Sequence, residues 1–455
     1  MNCRLFCTIL GALLIGAVCG ETPAALPAVL TLGQTQQAAL QHSEELSIAE
    51  LETLVETEKI QQIRGINLPK LSGEVMYNVR DCHQGFVRKN PMHKVHSLPP
   101  GAPPQERQPK KIVTLATNKE IRTGKLSLLV PLYDFGYVSN LLKAQGAVVE
   151  ASIHDRDRIR QNLLFLVSLS FYSALEAAKI EGVVLESIRI LEKQLATAKD
   201  MFSVGFLTKN DVLVIEVQLS ERSQELIEAR HLIESDLATM SRLTGKTLTT
   251  VEELQDVEEP RLATDSAEAM IAKADTAHPV LKKIIADRSA LAFDIEATKA
   301  ENFPDINGFA SANTSSDTYL LHKNWVQGGV GIEIPIFDGG IVASKVAQKK
   351  TELTALDFQY KKAIEDIHLE IRRAFLGADS AFHRVIVTKK TIQLAEDNLT
   401  ISQDLFSEGQ IMSDDVLDDE GRLVQARSDY CQALYEFYMA KSGLEYAAGL
   451  IQLQA

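Results

Sequence analysis

Leu126-Ser-Leu-Leu-Val-Pro-Leu-Tyr-Asp-Phe-Gly136 recurs as Val330-Gly-Ile-Glu-Ile-Pro-Ile-Phe-Asp-Gly-Gly340, 204 residues further along the chain. The reading of this pair decides the fold. Leu126, Leu128, Val130 and Leu132 alternate with other residues, as do Val330, Ile332, Ile334 and Ile336, and a period of two marks a strand with one apolar face. Asp134 and Asp338 then stand where a helix N-cap belongs, ahead of roughly 65 residues of helical pattern. Met201-Phe-Ser-Val-Gly205 with Asp211-Val-Leu213 returns as Leu405-Phe-Ser-Glu-Gly409 with Asp415-Val-Leu417, again 204 residues on. Two landmarks with one offset mean that Pro131–Gly205 and Pro335–Gly409 align without a gap. The chain is an internal duplication.

Working outward, each copy opens with a helical stretch, about Thr31–Arg64 and Asp265–Ala300. A proline-marked entry follows (Pro69, Pro304) and then a first strand. Strands are expected at about 71–80 and 121–133 in copy one, and at about 306–314 and 326–337 in copy two. The last third of each long helix carries 3-4 apolar spacing: Ile188, Leu191, Leu195, Ala198, Phe202, and in register Ile392, Ala395, Leu399, Ser402, Phe406. A glycine turn reverses the chain, and the returning helix repeats the spacing at Leu423, Ala426, Tyr430, Ala433, Phe437, Ala440 and Leu444. This predicts two antiparallel coiled-coil hairpins. The copies therefore run 21–245, with a tip turn near 205, and 265–455, with a tip turn near 409. An acidic linker, 246–264, joins them. Copy one carries 31 extra residues between its strands, around His96–Gln105, whose Pro-rich composition predicts an exposed, largely unstructured loop over 81–120.

Charge and composition exclude several classes. There are 47 Lys and Arg against 61 Asp and Glu, a net charge of −14, which argues against nucleic-acid binding. Aromatic content of 6% leans towards long helices rather than a compact enzyme core. No phosphate-binding glycine loop, HExxH, CxxC or GxSxG pattern occurs, so no enzyme and no cofactor is expected. Residues 1–20 read as a secretory signal peptide: Arg4, an apolar run Leu5–Val18, and small residues before Glu21. Acylation of Cys19 is the alternative, although Val18 is larger than lipoprotein signals favour. Cys82 and Cys431, in unlike contexts, make no disulfide framework. Cys82, His83, His93 and His96 are too irregularly spaced for a four-ligand metal set. Beyond the leader, the most apolar run, Leu163–Ala174, is broken by serines and does not read as a membrane span. Four strands of about ten residues are too few to close a barrel, yet they have the length that spans a bilayer when tilted. Three chains would supply twelve.

Two copies of strand, strand, long helix, glycine turn and helix, with the PLYDFG, PIFDGG, FSVG and FSEG motifs, resemble the TolC family of outer membrane efflux proteins over about Thr31–Gly449. The resemblance implies a mainly α fold with β. Its duplicated strand–strand–long helix–helix repeats would build a homotrimeric 12-stranded transmembrane β-barrel, continued by a periplasmic α-helical coiled-coil barrel. It implies a passive channel in the cell outer membrane, the exit duct of a tripartite efflux pump or type I secretion system. Its partners would be a periplasmic adaptor (membrane fusion) protein, an inner-membrane transporter and outer membrane lipid. It places a carboxylate ring at Asp415 and Asp418, within the acidic cluster that also holds Asp414, Asp419 and Glu420. Adaptor docking falls on Val204, Gly205, Phe206, Leu207, Glu408, Gly409, Gln410 and Ile411. Some family members have an arginine where this chain has Ile411, which puts a gate locked by that arginine in doubt. From the residues alone, the acidic cluster also reads as carboxylates complementing a helix dipole behind a Ser413 cap, and Trp325 with Tyr319 as an interfacial aromatic girdle or as loop residues. The alternative for the whole chain is an exported periplasmic coiled-coil structural or adaptor protein.

Overall fold

The computed structural model describes residues 30–81, 85–89, 111–115, 118–251, 254–257, 260, 266–318, 320–408, 410–411 and 413–453. The expected signal peptide, Cys82, His83, His93, His96, Tyr319 and Gly409 lie outside the described residues. In chain order the elements are α1 (Leu32–His42), α2 (Glu44–Arg64), β1 (Lys70–Val79), β2 (Gly85–Lys89), β3 (Lys111–Leu115), β4 (Glu120–Tyr133), α3 (Tyr137–Ser203), α4 (Lys209–Thr244), α5 (Ala267–Ala277), α6 (Pro279–Ala300), β5 (Asp305–Ser315), β6 (Asn324–Glu333), α7 (Ile341–Ser407) and α8 (Ser413–Ala447). Helices α3 and α7 each have 67 residues and begin and end 204 residues apart. The duplication therefore extends to element boundaries.

The chain forms two compact units, 1–44 with 160–271 and 369–455, and 45–159 with 272–368. These units cut across the copies expected at 21–245 and 265–455, because each long helix contributes to both. The helical stretch that opens each copy is broken in two, between α1 and α2 and between α5 and α6. At Ser43 (φ −61°, ψ 118°) and His278 (φ −62°, ψ 123°) the backbone is extended for a single residue. Pro279 supplies the second break, since proline is tolerated only in a helix's first turn. Burial depresses the His278 imidazole to about 4, so the neutral ring accepts from the Val280 amide through Nδ1 (3.3 Å).

The second unit holds an antiparallel sheet in the order β1-β4-β5-β6. Its registers separate two faces. The rows Leu71–Leu128–Ala310–Gly328 and Gly73–Leu126–Ala312–Val326 lie on one, and the rows Ser72–Ser127–Ser311–Gln327 and Glu74–Lys125–Asn313–Trp325 on the other. One face is thus apolar and the other largely polar. Trp325 lies within β6 rather than in a loop, and it shares a row with Glu74, Lys125 and Asn313 on the largely polar face. Two expectations about strands are also corrected. β6 ends at Glu333, not near 337, because its only partner β5 begins at Asp305, leaving Ile334–Phe337 with no strand beside them. On β4, the alternation of leucines is interrupted at Leu132 by a bulge between Pro131 and Tyr133. The loop expected over 81–120 contains a further antiparallel pair, β2 with β3, since Gly85-Phe-Val-Arg-Lys89 and Lys111-Ile-Val-Thr-Leu115 are short β-prone runs able to pair with each other.

Both long helices start from the same device. Asp134 and Asp338 sit three residues before the helix rather than at the cap itself. The Asp134 carboxylate accepts from Gly136 N (3.1 Å) and Val138 N (2.8 Å), and that of Asp338 from Gly340 N (2.8 Å) and Val342 N (2.7 Å). Partial burial pushes the Asp134 carboxyl up, but the amide bonds outweigh it and hold the group below its ordinary value. Phe135, between them, takes a positive φ of 49° and stacks on Phe303 at 5.7 Å.

The core of the first unit gathers Leu163, Val167, Phe171 and Leu175 of α3, Leu237 and Met240 of α4, Tyr435 of α8, and Leu30. Part of α3 is long and apolar enough to cross a membrane, but half of that stretch is buried inside this unit, which identifies it as core. The serines that break its apolar run are used there: Ser168 accepts from Gln36 Nε2 (3.0 Å) and donates to the Leu164 carbonyl (2.9 Å). The linker is anchored in the same core. Leu248 and Leu254 are buried, residues 30 and 254 form a parallel bridge, and Asp256 accepts from Tyr435 Oη (2.7 Å) and pairs with Lys179 (2.5 Å).

Gly245 closes α4 at φ +66°, and a Cβ there would stand 2.4 Å from the His42 ring. Gly245→Ala should therefore cost about 1–3 kcal/mol, read as a lowered thermal midpoint of the detergent-solubilised protein. Glu176, buried near Asp236 and Glu436, is raised to about 7, chiefly by desolvation and then by those two charges. A raised carboxyl stabilises the fold below its unfolded value and loses that contribution as pH rises through about 7. Thermal melts should show wild type losing on the order of 1–3 kcal/mol relative to Glu176→Gln between pH 4.5 and 7.5.

Candidate functional site

The hairpin ends of the first unit carry the residues singled out from the sequence. α3 finishes in a Schellman turn: Gly205 has φ +84°, its amide bonds the Phe202 carbonyl (3.1 Å), and the Phe206 amide bonds that of Met201 (2.9 Å). Copy two repeats the longer bond, Gln410 N to Leu405 O at 2.9 Å. Thr208 then starts α4 with a capping box to Asp211, whose carboxyl is held low by the Thr208 hydroxyl and amide.

These turns leave Val204 and Phe206 projecting, Phe206 at 84% exposure, and Glu408 and Gln410 exposed and bonded to each other (2.6 Å). Leu207 instead packs into the cluster of Leu191, Ala198, Val212, Ile215 and Leu417. Because Leu417 belongs to α8 and the others to α3 and α4, both hairpins share one small core just behind their turns. Ile411 is half-buried.

The acidic cluster divides. Asp414, Asp415 and Asp418 are exposed, with Asp415 and Asp418 three residues apart on α8, while Val416 and Leu417 are buried. Asp419 turns inward. It is buried, accepts from Ser402 Oγ (2.5 Å) and pairs with Arg422 (3.0 Å). Glu420 accepts from Gln194 Nε2 (2.6 Å), and burial pushes its carboxyl up against that bond. Among the described residues no cluster of His, Cys, Asp and Glu is arranged to hold a metal.

Sequence reasoning grouped Asp419 with the exposed aspartates, set Ser402 in the seam without naming a partner for it, and passed over Gln194. The signal was available in the duplication. Shifted by 204, Ser402 falls on Ala198 and Asp419 on Ile215, an apolar pair in copy one. Along α7, Ile392, Ala395 and Leu399 are half-buried and Ser402 buried, while the positions between them are exposed. The 3-4 spacing thus marks the true seam, with one polar pair set into it.

A four-stranded sheet with an apolar and a polar face, joined to paired helical hairpins with glycine turns, defines an outer membrane channel protein. A family model described as "Outer membrane efflux protein" matches residues 35–246 and 270–450. The chain belongs to the outer membrane efflux protein family, and its place is the outer membrane, extending into the periplasm. It is 23% identical over 338 residues to alkaline protease secretion protein AprF of Pseudomonas aeruginosa, covering 72% of this chain and 69% of that one. It is 20% identical over 355 residues to outer membrane protein TolC of Escherichia coli K12, covering 74% and 71%. Among solved structures, the Campylobacter jejuni CmeC outer membrane channel matches with a TM-score of 0.72 at 15% identity, covering 92% and 85%. The open state of the Neisseria gonorrhoeae MtrE outer membrane channel matches with 0.71 at 15%, covering 94% and 93%.

Removing only one member of the buried polar pair should destabilise the second hairpin. Ser402→Ala is expected to cost about 1–3 kcal/mol by stripping a partner from a buried carboxylate. Ser402→Ala with Asp419→Ile, which recreates the apolar pair of copy one, should restore or exceed wild-type stability in the same thermal melt.

Proposed function

We propose that three copies of this chain close into one exit duct, opened by an adaptor that docks on the hairpin turns. The observation that carries this reading is the sheet. Among the described residues its edge strands β1 and β6 have no neighbour beyond them, and the apolar face is open, with Val75 at 90% exposure. In a bilayer every backbone donor and acceptor on those edges needs a partner, so a lone sheet of four strands is untenable there. Pairing β6 of each copy with β1 of the next satisfies both edges, places the apolar rows against lipid and the serine and asparagine rows around a lumen.

The helices support the same closure. Leu369 and Leu376, then eleven residues on Val387, Leu394 and Ile401, form an exposed stripe on α7 at seven- and eleven-residue spacing, a coiled-coil seam left open among the described residues. Threefold symmetry would gather six carboxylates from Asp415 and Asp418 into a cation-favouring ring at the periplasmic entrance. The two turns, Val204, Gly205, Phe206 and Leu207 in copy one and Glu408, Gly409, Gln410 and Ile411 in copy two, are the segments we assign to docking a helical hairpin of a periplasmic adaptor, with the projecting Val204 and Phe206 as its apolar contacts. An inner-membrane transporter supplies the energy. AprF is named for protease secretion, and for this chain only the duct is carried over, not a cargo.

Purified trimer in a planar bilayer should give discrete cation-selective openings. Asp415→Asn with Asp418→Asn should lower the cation preference several-fold at low salt. Unchanged selectivity would remove the ring while keeping the duct, and soluble protein without channels would remove the duct.

A further inference from the structure

We infer that Glu420 is a proton-binding site that ties the two hairpins together more tightly in acid than in alkali. In its neutral form the Glu420 carboxyl and the Gln194 amide make a closed pair, with one hydrogen bond running each way between α8 and α3. The proton comes from water and returns to it. The pair lies within the first unit of one chain and does not depend on the closure of three copies into a duct.

The observation that carries this is an unmet acceptor. Gln194 Nε2 donates to Glu420 Oε2 at 2.6 Å. Gln194 Oε1, on the same amide, is sealed from solvent and has no hydrogen-bond partner, the one buried side-chain polar atom left so among the described residues. A buried acceptor without a donor is costly, and native structures keep few of them. An ionised carboxylate only accepts, so it cannot meet this need. A protonated carboxyl has an O–H to donate to Oε1 while its other oxygen still accepts from Nε2. Amide and acid each carry one donor and one acceptor on a single planar carbon, so one face-to-face arrangement makes both bonds.

The duplication gives a second, independent reason. Shifted by 204, Glu420 falls on Glu216 and Gln403 on Lys199. In copy one Glu216 pairs with Lys199 (2.9 Å), a cation that favours its ionised form. Copy two has an amide in the lysine's place, and Glu420 is held instead by Gln194 of the other hairpin. Burial raises its carboxyl, and the Gln194 bond opposes this without prevailing. The charges on the elements around it are committed or face outward. Arg422 of α8 pairs with Asp419 (3.0 Å), Arg427 of α8 with Glu396 of α7 (2.9 Å), and Lys199 of α3 with Glu216 of α4, while Lys193 of α3 and Asp418 of α8 are exposed. A carboxyl raised in the fold contributes fully below its ordinary value and loses that contribution as pH rises through the raised one. The contact is therefore tight in acid and loosens towards alkali.

The test uses purified full-length protein in neutral detergent. Unfolding rates in denaturant are read for wild type, Gln194→Leu, Glu420→Leu and the double variant, at about pH 4.5 and about pH 8. The coupling between the two positions should be larger at the lower pH by about fivefold in rate or more. Equal coupling at both would overturn the inference. So would larger coupling at the higher pH, the result expected if the contact were an N–H donating to a charged carboxylate. Glu420→Gln keeps a donor and an acceptor at every pH, so its coupling to Gln194 should not change with pH, and a change as large as that of wild type would place the titrating group elsewhere. Glu176 titrates alike in all these proteins and cancels in the differences. Infrared difference spectra between the same two pH values provide a measurement on the unperturbed fold. Wild type should lose a carboxylic-acid carbonyl band at the higher pH that Glu420→Gln lacks and Gln194→Leu displaces. Identical spectra for wild type and Glu420→Gln would refute the site.

Discussion

An antiparallel sheet cannot end in hydrocarbon, because each edge strand presents a row of amides and carbonyls that only water or another strand can satisfy. Among the described residues of this chain the sheet β1-β4-β5-β6 ends twice, at β1 and at β6. Its rows separate cleanly enough into apolar and polar that neither face alone suits water or lipid on both sides. That constraint makes the single chain an incomplete object. The open stripe on α7 follows the same logic, since it leaves a coiled-coil seam without a partner helix among the described residues. Closure by identical neighbours answers both requirements at once, which is why the proposed duct is built from copies rather than from a longer chain.

Duplication supplies the parts, and small departures from it give the parts different tasks. The Asp134 and Asp338 devices are the same to within a few tenths of an ångström, so both long helices are launched from their strands in one way. At the hairpins the copies diverge. Ala198 and Ile215 meet as an apolar pair, while Ser402 and Asp419 meet as a buried polar one. A polar pair of this kind contributes little net stability but resists separation less uniformly than packed methyl groups, because water can replace it when the helices part. The extra residues between β1 and β4 are the other departure, and the stretch 85–119 holds seven Lys and Arg against a single Glu in a chain of net charge −14.

Much of this was legible in the residues. The period of two in Leu126–Val130 and Val330–Ile332, the 3-4 seam through Ile392, Ala395 and Leu399, and the 204-residue offset depend only on local chemistry, and they locate strands, helices and turns. Other features were hidden for identifiable reasons. The end of β6 at Glu333 depends on where its partner β5 begins, and Ile334 and Ile336 continue an alternation that has nothing to pair with. Asp419 looked like its exposed neighbours because a run of acids reads alike on every face until the opposing helix is known. Trp325 reads equally as girdle or loop in one dimension, because its row-mates across three other strands are not visible there.

The sequence by itself determined the duplication, the element types and the glycine reversals, because periodicity, capping and turn chemistry act over a few residues. Only the tertiary structure decided that the compact units cut across the two copies, that the acidic linker is anchored by Leu248, Leu254 and Asp256, and that Asp419 turns inward to Ser402. Those outcomes depend on which distant segments share a core or a ladder. Register and burial are properties of pairs of segments, and no single stretch of chain carries them.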